Sequence, residues 1–160
     1  MNKIIAVSIL SIFLLGCAST KSTVVKRYIS SDESKISITI IKDVSVSVPD
    51  NQYQLIEDNI TDGLKKNGLL ASNQETSKHS AVVTLHSFRI RDDAARLAVG
   101  ILAGCDNIIS TVTVMDKLTN DEIGKSKISI NECAAWGVSD QVITKYTNGV
   151  VEYLSNKQGQ

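Results

Sequence analysis

The chain has 160 residues, 42% hydrophobic and 21% charged, with 17 Lys plus Arg against 17 Asp plus Glu, a sequence pI of about 6.7, 4% aromatics and one Pro. That length holds one ordinary domain. The balanced charge excludes the basic footprint of a nucleic-acid binder, the modest charged fraction excludes a disordered acidic or basic tail, and the 3 cysteines are too few for a disulfide scaffold.

Met1-Asn2-Lys3 supplies one positive charge, and the run from Ile4 to Leu15 is interrupted only by Ser8 and Ser11. A membrane-spanning helix needs about 20 apolar residues, so this shorter run reads as the core of a secretory signal peptide. Leu14-Leu15-Gly16-Cys17 resembles the lipobox of bacterial lipoproteins, with Leu14 at the leucine position, Gly16 before the cut and Cys17 as lipid acceptor. The resemblance implies removal of residues 1–16 and acylation of Cys17, which makes membrane lipid a partner. Because Ala18 rather than Asp follows, it also implies the bacterial outer membrane, with the domain facing the periplasm. Two or more acyl chains anchor stably, since each buried CH₂ contributes about 0.8 kcal/mol. The alternative is an ordinary secretory signal with a chance cysteine. The chain without residues 1–16 stays about 40% apolar, enough for one core, and carries one net negative charge.

Residues 17–34, rich in Ser, Thr and Lys, read as the lipidated cysteine and a flexible tether reaching at most about 56 Å. Val24 to Ile29 could pair there as a short edge strand. Residues 35–156 read as a single globular domain. Its first strand is predicted over Ile36 to Val48, where apolar Ile36, Ile38, Ile40, Val44, Val46 and Val48 hold even positions and mostly polar residues hold odd ones. Pro49-Asp50-Asn51 ends it, with Asp or Asn available to cap a helix carrying Leu55, Ile56, Ile60 and Leu64 and closing at Gly68.

A second strand alternates on Ala81, Val83 and Leu85, then on Phe88 and Ile90, and the slip predicts a bulge near His86-Ser87. A hairpin follows, with Ile108, Val112 and Val114 facing Ile128 and Ile130 around a turn at Leu118-Thr119-Asn120, where Asn120 can take the left-handed conformation. Ser139 then caps a last helix carrying Val142, Ile143, Tyr146, Val150, Tyr153 and Leu154. The order strand-helix-strand-strand-strand-helix predicts an α/β (α+β) fold. Its mixed sheet has one parallel crossover, antiparallel hairpin strands, and both helices on one face.

A loop over Leu118 to Asn120 pairs residues whose numbers sum to 238, as those of Cys105 and Cys133 do. The two would sit opposite one another at the far end of the hairpin, as a disulfide candidate suited to an oxidising periplasm. Gly104 could end the strand before that point, leaving two unrelated thiols.

Arg89, Arg91 and Arg96 precede the uncharged run from Leu97 to Gly104. One reading is an interaction loop facing a partner or lipid, with Leu97, Val99, Ile101 and Leu102 as its apolar residues and Gly100 and Gly104 permitting close approach. The other is a segment buried under the sheet, with Asp92 or Asp93 pairing Arg96. Phe88-Arg89, Arg96, Gly100, Gly104 and Asp116 with Thr119-Asn120 resemble a family of small bacterial outer-membrane lipoproteins that carry a domain of unknown function, over roughly residues 80–154. The Asn in place of the usual Gly and the two cysteines depart from that pattern, and the resemblance implies no known activity. In layout the chain also resembles envelope lipoproteins that oligomerise into secretion or exclusion assemblies.

No constellation for catalysis stands out. His79 and His86 lie on opposite faces under a period of two, no metal-ligand spacing occurs, no Lys-Ser or Lys-Thr follows Gly100 or Gly104, and Asp92-Asp93 and Asp121-Glu122 read as solvated turns. Trp136 reads as a plug on the core. The sequence therefore predicts a non-enzymatic envelope lipoprotein with no cofactor, no metal and no nucleic-acid partner, contacting an unknown envelope protein or itself. The alternatives are a subunit of a homo-oligomeric envelope or secretion-type assembly using residues 97–104, and a carrier for a small apolar ligand.

Overall fold

A computed structural model describes residues 19–30, 35–91, 94, 104–133 and 139–155. Five strands and two helices follow in chain order: β1 (Ser19–Lys26), β2 (Ile36–Lys42), α1 (Asp50–Lys66), β3 (His79–Arg89), β4 (Asp106–Asp116), β5 (Glu122–Glu132) and α2 (Ser139–Leu154). They form one mixed sheet in the order β1-β5-β4-β3-β2. β2 and β3 run parallel across α1, whereas β3, β4 and β5 form an antiparallel meander and β1 adds antiparallel to β5. The α+β class, the parallel crossover and the antiparallel hairpin follow the alternation of apolar residues that the sequence carries.

Even-numbered Ile108, Val112, Val114, Ile128 and Ile130 and odd-numbered Ala81, Val83 and Leu85 are all buried, on the face that both helices cover. Ile56, Ile60 and Leu64 of α1 and Val142, Ile143, Tyr146, Val150 and Leu154 of α2 complete one core. The β3 alternation reverses where expected: register shifts between Leu85 and Ser87, so His86 is the bulged residue and Phe88 returns to the core side opposite Ile108.

Four local expectations change. First, the strand predicted from Ile36 to Val48 stops at Lys42, because Val46 N–H bonds back to the Asp43 carbonyl in a turn that leaves Val44 fully exposed. Second, α1 starts after Pro49 with no side-chain cap, and Asp50 lies inside the first turn rather than before it. Gly68 does close the helix, at φ 67°.

Third, Ser19–Lys26, expected as tether, is the sheet's β1 edge. It docks because two small residues face it. A Cβ on Gly149 of α2 would lie 2.6 Å from Thr20 Cγ2, and the Ser22 and Ser126 hydroxyls meet at 3.0 Å. Thr20 Oγ1 also donates to the Lys145 carbonyl, and Tyr153 Oη to that of Lys26.

Fourth, the hairpin closes on Asp116 and Asp121, one residue away from the expected pairing, with Asn120 at φ 60°. A shift between Val114 and Met115 absorbs the difference. From Val114↔Gly124 to Asp106↔Glu132 the partners keep the expected register.

Candidate functional site

The end of the sheet where β3 and β5 finish and β1 and β4 begin collects most of the residues marked by the sequence. One cross-strand row there runs Ser19, Asn131, Asn107, Arg89. Directly beyond it Cys105 and Cys133 are disulfide-bonded, with Cα atoms 4.2 Å apart, as the hairpin register requires of directly opposed residues. Gly104 precedes at φ 85°, a conformation that disfavours any other residue, and a Cβ there would meet Arg89 Nη2 at 2.9 Å, so the Arg89 side chain would have to shift as well.

Arg91 lies beneath this end. Its backbone N–H and Nε donate to Asp106 Oδ1 at 2.7 and 3.3 Å, and Nη2 donates to Oδ2 at 3.1 Å and to the Glu132 carbonyl at 3.4 Å. The two side chains are 3% and 0% exposed. A charge pair so deeply buried persists because every partner is supplied. Ser139 opens α2 and donates its hydroxyl to the Arg91 carbonyl, and Lys145 pairs with Glu132 at 3.0 Å.

Arg91, expected in an exposed interaction loop, is therefore an internal tie between β3, β4 and β5. Arg89 is exposed on the opposite face and Gly104 is half-buried. Gly16, Cys17, Arg96, Leu97, Val99, Gly100, Ile101 and Leu102, like Trp136, lie outside the described residues.

The face of the sheet turned away from the helices holds a second polar group. His86, pushed out by the bulge, bonds Asp43 Oδ2 through Nδ1 and Thr111 Oγ1 through Nε2, both at 2.8 Å. A carboxylate, an imidazole and a hydroxyl in line share the connectivity of a general-base relay. Here the imidazole and carboxylate are 39% and 44% exposed, and water weakens each bond. The arrangement ties the Asp43 turn to β3 and β4.

The third group sits at the other end of the sheet. Tyr28 Oη and His79 Nδ1 are 2.8 Å apart, with the two rings edge-on, and His79 Nε2 lies 3.8 Å from Asp116 Oδ2. Burial pushes the Tyr28 phenol up to about 12. The Thr119 and Leu118 backbone N–H groups hold the Asp116 carboxyl below the usual range, which marks it as a turn former. Both histidines thus hold the fold together, one on each face of the sheet.

Among the described residues no three His, Cys, Asp or Glu side chains are grouped to hold a metal ion. No helix among them is long and apolar enough to cross a membrane. The internal bonds of Arg91 and Tyr28 escaped sequence reasoning because their partners, Asp106 and His79, are distant in the chain.

No family model matches the chain, and no curated protein matches it either. Solved structures do resemble it. PelC of Paraburkholderia phytofirmans, a dodecamer, superposes with a TM-score of 0.59 at 9% identity, over 87% of this chain and 98% of that one. A Xanthomonas campestris protein from a family of unknown function superposes with a TM-score of 0.51 at 10% identity, over 85% and 95%. At such identities the likeness is one of fold.

Proposed function

We propose that this chain is a non-enzymatic lipoprotein of the bacterial outer membrane, anchored by acylated Cys17 after removal of residues 1–16, whose α+β domain faces the periplasm and binds another envelope protein. The observation that carries the reading is where β1 begins. Ser19 stands two residues after Cys17, at the sheet end that also bears Gly104 and Cys133. A link of two residues reaches only about 7 Å, so an acylated Cys17 would hold that end, Gly104 included, against the bilayer. The disulfide suits an oxidising compartment.

Membrane fractionation tests the anchor. Wild-type protein should sediment with membranes and Cys17→Ala should not, and the intact mass of the mature wild-type chain should carry the diacylglyceryl addition. Equal sedimentation of the two would overturn the reading.

A second reading, a subunit of a homo-oligomeric assembly in contact through residues 97–104, is favoured by the dodecameric state of PelC. Light scattering after size exclusion separates the two: a strict monomer, in detergent as in buffer, eliminates the ring.

A further inference from the structure

The balanced net charge conceals a division between two faces. From Lys125 onward the odd-numbered side chains of β5 point away from the helices, with Lys125 and Lys127 near Lys21 of β1, and Arg89 of β3 stands at the end of the same face. The carboxylates at the margin of this face, Glu122 and Asp43, are held locally by Lys125 and His86. Neutral Thr23, Thr111, Thr113 and Ser129 lie among these cations on the same face.

The two helices on the other side carry six carboxylates, Asp50, Glu57, Asp58, Asp62, Asp140 and Glu152, against three lysines, Lys65, Lys66 and Lys145, and so are net acidic. Asp58 and Asp62 follow buried Ile56 and Ile60 by two residues, about 200° around the helix, and so point away from the core. Glu57, Asp140 and Glu152 are exposed on the same layer.

The spacings match. Lys127 lies opposite Thr23 and Lys21 opposite Ser129, a diagonal of about 7 Å, while Asp58 and Asp62 are one helical turn, about 6 Å, apart. Five strands at about 4.8 Å and eight residues at about 3.3 Å give a footprint of roughly 600 Å², near the ~800 Å² per partner of a stable specific interface.

We propose that a second copy of this chain docks its net acidic helical layer on the basic face of the sheet turned away from the helices, through Lys21 and Lys127 against Asp58 and Asp62. Such a contact is head-to-tail, so each copy keeps one face of each kind available and association continues beyond a dimer into a ring or a chain. The inference stands whether or not Cys17 is acylated, and it puts the contact on the sheet and helices rather than on residues 97–104.

Sedimentation velocity on full-length protein in dodecyl maltoside tests it, with Lys21→Glu/Lys127→Glu as one variant and Asp58→Lys/Asp62→Lys as the other. All four positions are on the exterior, and unchanged thermal melts check that both variants fold. The wild-type protein mass should rise with concentration at about 20 mM NaCl and fall toward a single chain at about 0.5 M, where the Debye length shrinks severalfold. Each variant alone should associate at least about tenfold more weakly, and an equimolar mixture should regain association, because the reversed faces then complement one another. Three results would overturn the proposal: a wild-type monomer at low salt, association indifferent to salt, or a mixture that stays dissociated. A wild-type monomer that instead retains polyglutamate would assign the face to a foreign acidic partner.

Discussion

The disulfide makes the sharpest quantitative statement about stability. Replacing Cys105 by Ser and Cys133 by Ala opens a link between residues 28 apart in sequence. The loop-entropy relation assigns such a closure about 12 cal/mol/K, or about 3.6 kcal/mol at 25 °C. The effect is expected in the unfolded chain, since the native ends stay fastened by the Asp106↔Glu132 pairing and by the Arg91–Asp106 ion pair. Native circular dichroism should therefore be superimposable on that of the wild type. With a urea m-value of about 1–3 kcal/mol/M, the unfolding midpoint should fall by about 1.2–3.6 M, and m should rise because the opened chain exposes more surface. Wild-type protein treated with reductant should behave as the variant does. The reasoning is refuted if midpoints with and without reductant agree within about 0.3 M, or if non-reducing mass mapping of protein from its native compartment finds both thiols free.

Other outcomes follow from the internal ties. Arg91→Ala removes the guanidinium from the Asp106 carboxylate at zero exposure, leaving it the backbone N–H of residue 91, and should cost about 3–5 kcal/mol in urea unfolding, while the apolar double variant Arg91→Met/Asp106→Leu should recover most of that loss. A loss below about 1 kcal/mol for Arg91→Ala would show the pair to be solvated. Gly149→Ala sets a methyl 2.6 Å from Thr20 Cγ2, so the variant should lose about 1–3 kcal/mol. Thr20→Ser removes that methyl, retains the hydroxyl donor to Lys145, and should relieve the loss in the same melt. Alkaline stability tests Tyr28, whose phenol is raised from 10.0 to about 12 in the fold. Below pH 10 both states keep the proton and stability is full; between about pH 10 and 12 only the unfolded chain releases it, so the melting temperature should fall with rising pH. Tyr28→Phe should flatten that fall, although burial raises the Tyr153 and Tyr146 phenols as well and leaves a residual slope.

Legibility in the sequence tracked burial. β3, β4 and β5 place one parity in the core, and their alternation declares both the strands and the bulge at His86. Two local deviations cancelled in the hairpin. The turn closes on Asp116 and Asp121, and the irregularity before Met115 restores the expected register, so the cysteine pairing follows although the turn was displaced. β1 was illegible for the opposite reason: residues 21–26 are all exposed, and its docking depends on small groups at Thr20 and Ser22 rather than on an apolar stripe. Arg91 misled because its sequence neighbours are Asp92 and Asp93, whereas its partner Asp106 is 15 positions away and comes near only when β3 and β4 pair. Of the marked residues at the candidate site, the sequence located the cysteines and the exposed Arg89 but could not distinguish Arg89 from the buried Arg91.

The docking of β1 also orders events in time. Ser19 finds its partner in Asn131, about 112 positions later in the chain, so the first strand to be synthesised is the last that can pair. Until β5 exists, β1 has no native strand to pair with. A long-range closure of this kind slows folding.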